Sequence, residues 1–102
     1  MIDKLVHVRG NVSSSGEITA GSGFRVVRDR TGIFQILLDR PFADTPTVTA
    51  TVISNSARDD KTRVNAVVQR DGLQSDRFIV ITGDDDGDLD SKDFGFIAVG
   101  PG

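Results

Sequence analysis

The sequence contains no cysteine, no tryptophan and no tyrosine, and His7 is its one histidine. Without cysteine, disulfide bonds and thiolate metal sites are excluded. A Ser-His-Asp triad would depend on His7, which alternates with Val6 and Val8 in a strand pattern, so we expect a surface or interface residue there. Without tryptophan or tyrosine, a sugar site would lack the rings on which sugars often stack, and would rely on Asp, Arg, Asn and Ser.

Long apolar runs are also missing. No stretch approaches the length of a transmembrane helix, which argues against membrane insertion, and the N-terminal MIDKLVHVRG has no signal-peptide pattern. No basic stripe follows one segment, which argues against nucleic acid as a partner. These absences leave the localisation open.

The acidic residues are almost all aspartate: fourteen of the fifteen are Asp, and Glu17 is the exception. Aspartate bonds to its neighbouring backbone and favours turns, whereas glutamate favours helices. Eleven glycines, eight threonines and many Val and Ile residues complete a composition typical of β-proteins. With 102 residues, the chain predicts one domain over 1–102.

Short strand patterns recur along the chain and no window has a helical period. The predicted strands cover 6–9, 24–28, 33–38, 47–53, 64–68, 78–82 and 94–99, with a hairpin turn at Thr31-Gly32. Six to eight short antiparallel strands predict an all-β fold, an antiparallel β-sandwich or jelly roll.

Two of these strands have apolar residues on both faces. Ile33 and Leu37 lie opposite Phe34, Ile36 and Leu38 in one strand, and Ile79 and Ile81 lie opposite Phe78 and Val80 in the other. An antiparallel sheet in a monomer normally exposes one face to water. We therefore predict that Ile33, Leu37, Ile79 and Ile81 are buried at an interface between identical subunits.

The segment 82–93, TGDDDGDLDSKD, contains six aspartates and one lysine, so its formal charge is −5. The whole chain has a formal charge of −3, and the residues outside this segment therefore sum to +2. With Gly87 at the glycine position of an EF-hand loop, Asp84, Asp86 and Asp93 fall at ligand positions, but Thr82 takes the first position and both flanks read as strands. This excludes an EF-hand. A loop calcium site on Asp84, Asp86 and Asp88 and a solvated turn without any cofactor both remain open. A glycosidase pair would need buried, rigid carboxylates, which this run does not offer.

The string GEITAGSGFRVVRDRTGIFQILLDRPFADTPTVTATV, residues 16–52, resembles a module of phage tail-fibre tips and bacterial collagen-like proteins. The closing FGFIAVG, residues 94–100, fits the same pattern. The Pro-Phe…Pro-x-Val crossing is similar to that of H-type lectins, small trimeric sandwiches that bind N-acetylgalactosamine-like sugars between subunits. The resemblance implies a homotrimer and a virion-associated or extracellular location.

Two functions follow as expectations. The first is a non-enzymatic recognition module that binds a surface glycan through its polar loops, with avidity from repeated copies. The second is a purely structural capping or decoration protein. The two longest polar loops supply the candidate ligand-binding residues: Arg58, Asp59, Asp60, Arg63, Asp88 and Asp90.

Overall fold

The structure, a computed structural model, describes residues 4–53, 65–84, 86 and 88–102. Within these residues the chain forms eight β-strands and a short 3₁₀-helix, Arg70–Gly72, but no α-helix. No helix in the described part is long and apolar enough to cross a membrane. The strands are β1 Leu5–Val12, β2 Ile18–Gly21, β3 Phe24–Arg30, β4 Ile33–Leu38, β5 Thr47–Val52, β6 Asn65–Val68, β7 Arg77–Gly83 and β8 Phe94–Pro101.

The strands form two antiparallel sheets of four. Sheet A has the order β2-β1-β8-β5, and sheet B has the order β3-β4-β7-β6. The edge strands β5 and β6 lie against each other, so the two sheets meet at that side. The resulting order β8-β5-β6-β7 places the fourth strand beside the first, which is a Greek key. The predicted all-β antiparallel sandwich of six to eight strands is confirmed.

The core lies between the inner faces of the two sheets and is built around phenylalanine. All six Phe side chains are buried, as the sequence predicts. The Phe96 ring meets Phe24 and Phe78 nearly edge-on, with ring centroids 4.9 and 5.2 Å apart. Edge-to-face pairs of this kind contribute about 0.5–1.5 kcal/mol beyond the burial of their area. The aromatic residues therefore hold the sheets together and do not form a surface platform.

Gly10 makes room for this core. It lies in β1 opposite Phe96 of β8, and a Cβ atom placed on it would collide with the ring of Phe24. Glycine is thus required here for close approach and not for an unusual backbone angle. Because the Phe24 ring joins sheet B to sheet A at this point, the absence of a side chain at Gly10 sets the local spacing of the sheets.

Strand β2 is the element that the sequence pattern does not predict. It is four residues long and mostly exposed, and it pairs with Gly10, Asn11 and Val12 of β1. Gly21 and Gly23, with φ of 88° and 92°, then turn the chain into β3. Glycine adopts positive φ without steric cost, so the Gly-Ser-Gly stretch can form this turn.

Candidate functional site

The acidic segment connects β7 of sheet B to β8 of sheet A, and Thr82 anchors it. The Thr82 side chain is fully buried. Its hydroxyl donates to the main-chain oxygen of Asp90 at 2.6 Å and accepts from the main-chain N–H of Lys92 at 3.2 Å. The Thr82 side chain at the end of β7 therefore fixes the far part of the loop through two hydrogen bonds to its main chain. No motif in the sequence predicts this role.

The hairpin turn between β3 and β4 holds the same loop from outside. The main-chain N–H of Thr82 donates to the oxygen of Gly32 at 2.8 Å. The Ser91 hydroxyl accepts from the Gly32 N–H at 2.9 Å and from Arg28 Nε at 3.2 Å. Gly32 has φ of 75°, and a Cβ atom there would collide with the Thr82 carbonyl. The loop and the turn are thus one packed unit.

Asp84 organises the acidic turn itself. Its Oδ1 accepts from the main-chain N–H groups of Asp86 at 3.0 Å and Asp88 at 2.9 Å. Its own main-chain N–H donates to the Asp88 oxygen at 3.0 Å. Aspartate caps turns in this way because its short side chain reaches N–H groups a few residues ahead. Asp84 therefore has a structural role within the loop.

Two further aspartates make contacts, Asp93 with residues outside the loop and Asp90 with a residue inside it. Asp93 Oδ1 accepts from the Ser14 N–H at 2.7 Å, and its main-chain oxygen accepts from the Ile53 N–H at 2.8 Å. Asp90 pairs with Lys92 at 3.0 Å. The loop's negative charge is thus partly used in local contacts.

The three carboxylates predicted as metal ligands do come together. Oxygens of Asp84, Asp86 and Asp88 lie within 4.8 Å of one another. Asp84 is half-buried, and Asp86 and Asp88 are exposed. Calcium takes six to eight oxygen ligands, and Asp84 already accepts two N–H groups, so a cation would compete with the loop's own bonds. Strands β7 and β8 flank the segment, which confirms that it is not an EF-hand.

The candidate ligand-binding residues fall into two groups. Arg58, Asp59, Asp60 and Arg63 lie outside the described residues, whereas Asp88 is exposed and Asp90 is half-buried in the acidic loop. The strands that flank 53–64 both point to this end of the sandwich, since β5 ends with Val52 opposite Phe94 and β6 begins with Asn65 opposite Gly83. The ligand-binding role of these six residues stays a prediction.

The four residues predicted to form an interface share the outer face of sheet B, and each is half-buried. Ile33 lies directly opposite Ile81, and Ile81 lies opposite Val67 of β6. A second row contains Val27, Gln35 and Ile79. Val27 and Val67 are the most open members, 43% and 51% exposed, and sequence patterning does not find them because their strands are short or charged.

Part of this face is covered by the chain itself. A Cβ atom on Gly72 would collide with Ile79, so the 3₁₀-helix packs closely on that side chain. Nearby, Arg77 forms a two-point pair with the carboxylate of Asp76, with both N–O distances 3.3 Å. The hydrogen bond from Arg77 lowers the pKa of Asp76 below its ordinary value. The apolar rows therefore end at a charged margin.

A cleft of about 380 Å³ opens at the other end of the sandwich. It lies between the start of β1 and the turn after β4, and His7 is at its wall. The predicted surface position of His7 is confirmed, since the side chain is exposed. The sequence does not reveal this cleft because its walls come from three separate segments.

No protein-family model, no curated protein and no solved structure matches this chain. The resemblance to fibre-tip modules and H-type lectins therefore stays a prediction based on residues 16–52 and 94–100.

Proposed function

We propose that this protein is a non-enzymatic recognition module that assembles as a homotrimer and binds a surface glycan. The observation that carries the proposal is the apolar outer face of sheet B, where Ile33, Ile81 and Val67 stand side by side. A sheet with two apolar faces normally has both of them covered. The inner face has the core of this chain, and the part of the outer face that the 3₁₀-helix leaves open needs a partner.

A second copy of the chain is the occupant that fits this face. Arg25 and Arg77 border the apolar rows at one end, on either side of Leu37, and Arg30 lies opposite Ile33 at the other. The acidic segment 82–93 supplies the opposite charge on every copy. The arginines beside the apolar rows of one subunit would then face the acidic segment of the next subunit. A contact of this kind joins two different surfaces, and repeated contacts between different surfaces can close into a ring.

Binding of a glycan follows from the loops and from the trimer. A trimer presents three copies of each loop on one side, and repeated weak contacts then give useful avidity. A catalytic role is disfavoured because Asp86 and Asp88 are exposed, and general acid catalysis by a carboxyl group relies on burial to raise its pKa. We therefore interpret the acidic end as a surface for ligand recognition and not for catalysis.

One observation favours a second function, a structural capping or decoration protein. The carboxylates of Asp84 and Asp93 accept main-chain hydrogen bonds within the molecule, so they are less free to bind a ligand. Without tryptophan or tyrosine, no aromatic platform adds to a sugar site. In this alternative the same sheet B face makes the assembly, and no sugar binds.

The assembly is tested with Val67→Asp, which puts a charge on the most exposed apolar position of the face. We expect this variant to remain folded, by circular dichroism, and to sediment as a single chain. Thr49→Asp, on the exposed outer face of sheet A, is the matched control and should leave the assembly intact. Dissociation by both variants, or by neither, would contradict the sheet B interface.

The recognition function is tested with a glycan array on the unmodified protein. Specific binding of one or a few glycans is the expected result, and it should weaken in Val67→Asp because avidity is lost. An array without any binding, combined with capture of a defined protein assembly, would favour the structural alternative.

A further inference from the structure

The cleft at the start of β1 combines apolar walls with positive charge. Val6, Val8, Pro41 and Phe42 supply the apolar surface. Lys4 and Arg40 supply positive charge, His7 also lines the cleft, and no acidic side chain among the described residues does so. Its volume of about 380 Å³ lies in the range of small-molecule sites, which pair apolar walls with a few polar groups.

The edge of β1 beside the cleft also has main-chain groups without a strand partner in the described residues. Strand β2 pairs with β1 over Gly10 to Val12, so within the described residues Leu5 to Val8 have no strand partner on that side. Lys4 faces β8, because its oxygen accepts from the Gly102 N–H at 2.9 Å. Main-chain direction alternates along an antiparallel strand, so the N–H and C=O groups of Leu5 and His7 point to the open side. They are available to a ligand.

The opposite wall is held in place by hydrogen bonds. The Phe42 N–H donates to the Ser75 oxygen at 2.8 Å, and the Ala43 N–H donates to the Pro101 oxygen at 2.8 Å. The Phe42 ring is buried, in contact with Gly100. The turn that bears Arg40 is therefore tied to both neighbouring segments. A fixed wall of this kind lowers the cost of ordering a bound ligand.

The charge in the cleft selects for an anion. Lys4 and Arg40 are exposed, and their charges lie at the wall where a ligand would enter. Asp39 and Asp44 are close in sequence but do not line the cleft, and Asp44 accepts from the Thr45 N–H at 2.7 Å. A guanidinium and an ammonium group bind a carboxylate through charge-assisted hydrogen bonds, which are roughly twice as strong as neutral ones.

We propose that this cleft binds a sugar residue that carries a carboxylate, such as a uronic or sialic acid at the end of a glycan. This inference rests on the proposed glycan-binding function and goes beyond its loop site, because it assigns a second glycan site at the opposite end of the sandwich. The carboxylate contacts Arg40 and Lys4, the apolar side of the sugar ring packs on Val6 and Pro41, and hydroxyl groups bond to the open edge of β1. Charge then provides the affinity that an aromatic platform would otherwise supply.

The test is a titration of ¹⁵N-labelled protein, followed by NMR, with the methyl glycosides of glucuronic acid and N-acetylneuraminic acid. Methyl glucoside is the neutral comparison, and acetate is the carboxylate without a sugar. We expect both acidic glycosides to shift the signals of His7 and Leu5, and the two comparison compounds to bind at least about tenfold more weakly.

Variants locate the site. Arg40→Gln should weaken binding of the acidic glycosides about tenfold, the loss expected for one charge-assisted contact. Arg9→Gln removes the same kind of charge from β1, whose first residues line the cleft, but at a position outside the cleft, and should change the affinity less than about twofold. Equal losses in the two variants would show a general charge effect and overturn the assignment.

The outcomes separate this inference from the recognition function. Binding of neutral glycans on the array, without a response to the acidic glycosides, would contradict the cleft assignment and leave glycan recognition intact. A response to acetate as strong as that to the glycosides would overturn the sugar assignment. Binding of acidic glycans on the array that is lost in Arg40→Gln supports both.

Discussion

The aspartates of the acidic segment that the structure describes have different roles because their side chains have different neighbours. Asp84 caps its own turn, Asp93 accepts from Ser14, and Asp90 pairs with Lys92. Asp86 is exposed at the tip. Sequence alone predicts a turn from this composition, but it cannot distinguish these roles, because they depend on Thr82 and Gly32 holding the loop in register.

Asp84→Ala removes an acceptor from two main-chain N–H groups. We expect it to lower the free energy of unfolding by about 1 kcal/mol, since water replaces part of what is lost. Asp84→Asn keeps an oxygen acceptor and should cost less than half as much. Asp86→Ala, from the same cluster, is the control and should be nearly neutral. Urea denaturation measures all three, and an equal loss in Asp84→Ala and Asp86→Ala would contradict the capping role.

The effect of calcium on stability tests whether the cluster of Asp84, Asp86 and Asp88 binds a metal ion. Because Asp84 is engaged with its own loop, we expect the melting temperature to be the same in millimolar calcium and in chelator. A ligand present at 100 times its Kd would stabilise the fold by about 2.7 kcal/mol, which is easily detected. A rise in melting temperature that disappears in Asp86→Ala and Asp88→Ala would establish a calcium site and contradict this expectation.

At the scale of strands, alternation predicts a large part of the fold. The patterns at 33–38 and 47–53 give β4 and β5 almost at their observed bounds, and the phenylalanines identify the core. The sequence does not predict strand β2, because four residues between two turns are too few to show a clear alternation of apolar and polar side chains. The sequence does not predict the cleft, because Lys4, Arg40 and Gly102 are far apart along the chain and line the same cleft only after the chain has folded.

Gly10 tests how tightly the two sheets pack. We expect Gly10→Ala to lower the free energy of unfolding by about 1–3 kcal/mol, because the new methyl group enters space filled by the Phe24 ring. Phe24→Leu provides room, so the double variant Gly10→Ala/Phe24→Leu should be more stable than the sum of the single losses predicts. Strict additivity in thermal denaturation would mean that the two residues do not compete for space.

At the scale of the whole molecule, the two ends of the sandwich differ. The acidic segment 82–93, which joins β7 to β8, contains six of the fifteen acidic residues, and the β1 end contains the basic cleft. Between them, the outer face of sheet B presents an apolar surface whose residues Val27 and Val67 remain substantially exposed. Scattered apolar residues are ordinary on a monomer, but a contiguous group on one sheet face is typical of an interaction surface.

The solution mass of the unmodified protein, by light scattering on a sizing column, tests the central proposal most directly. We expect a mass of three chains at micromolar concentration, stable across a tenfold dilution. A mass of one chain across that range would contradict the proposed assembly and would mean that the outer face of sheet B stays open to solvent.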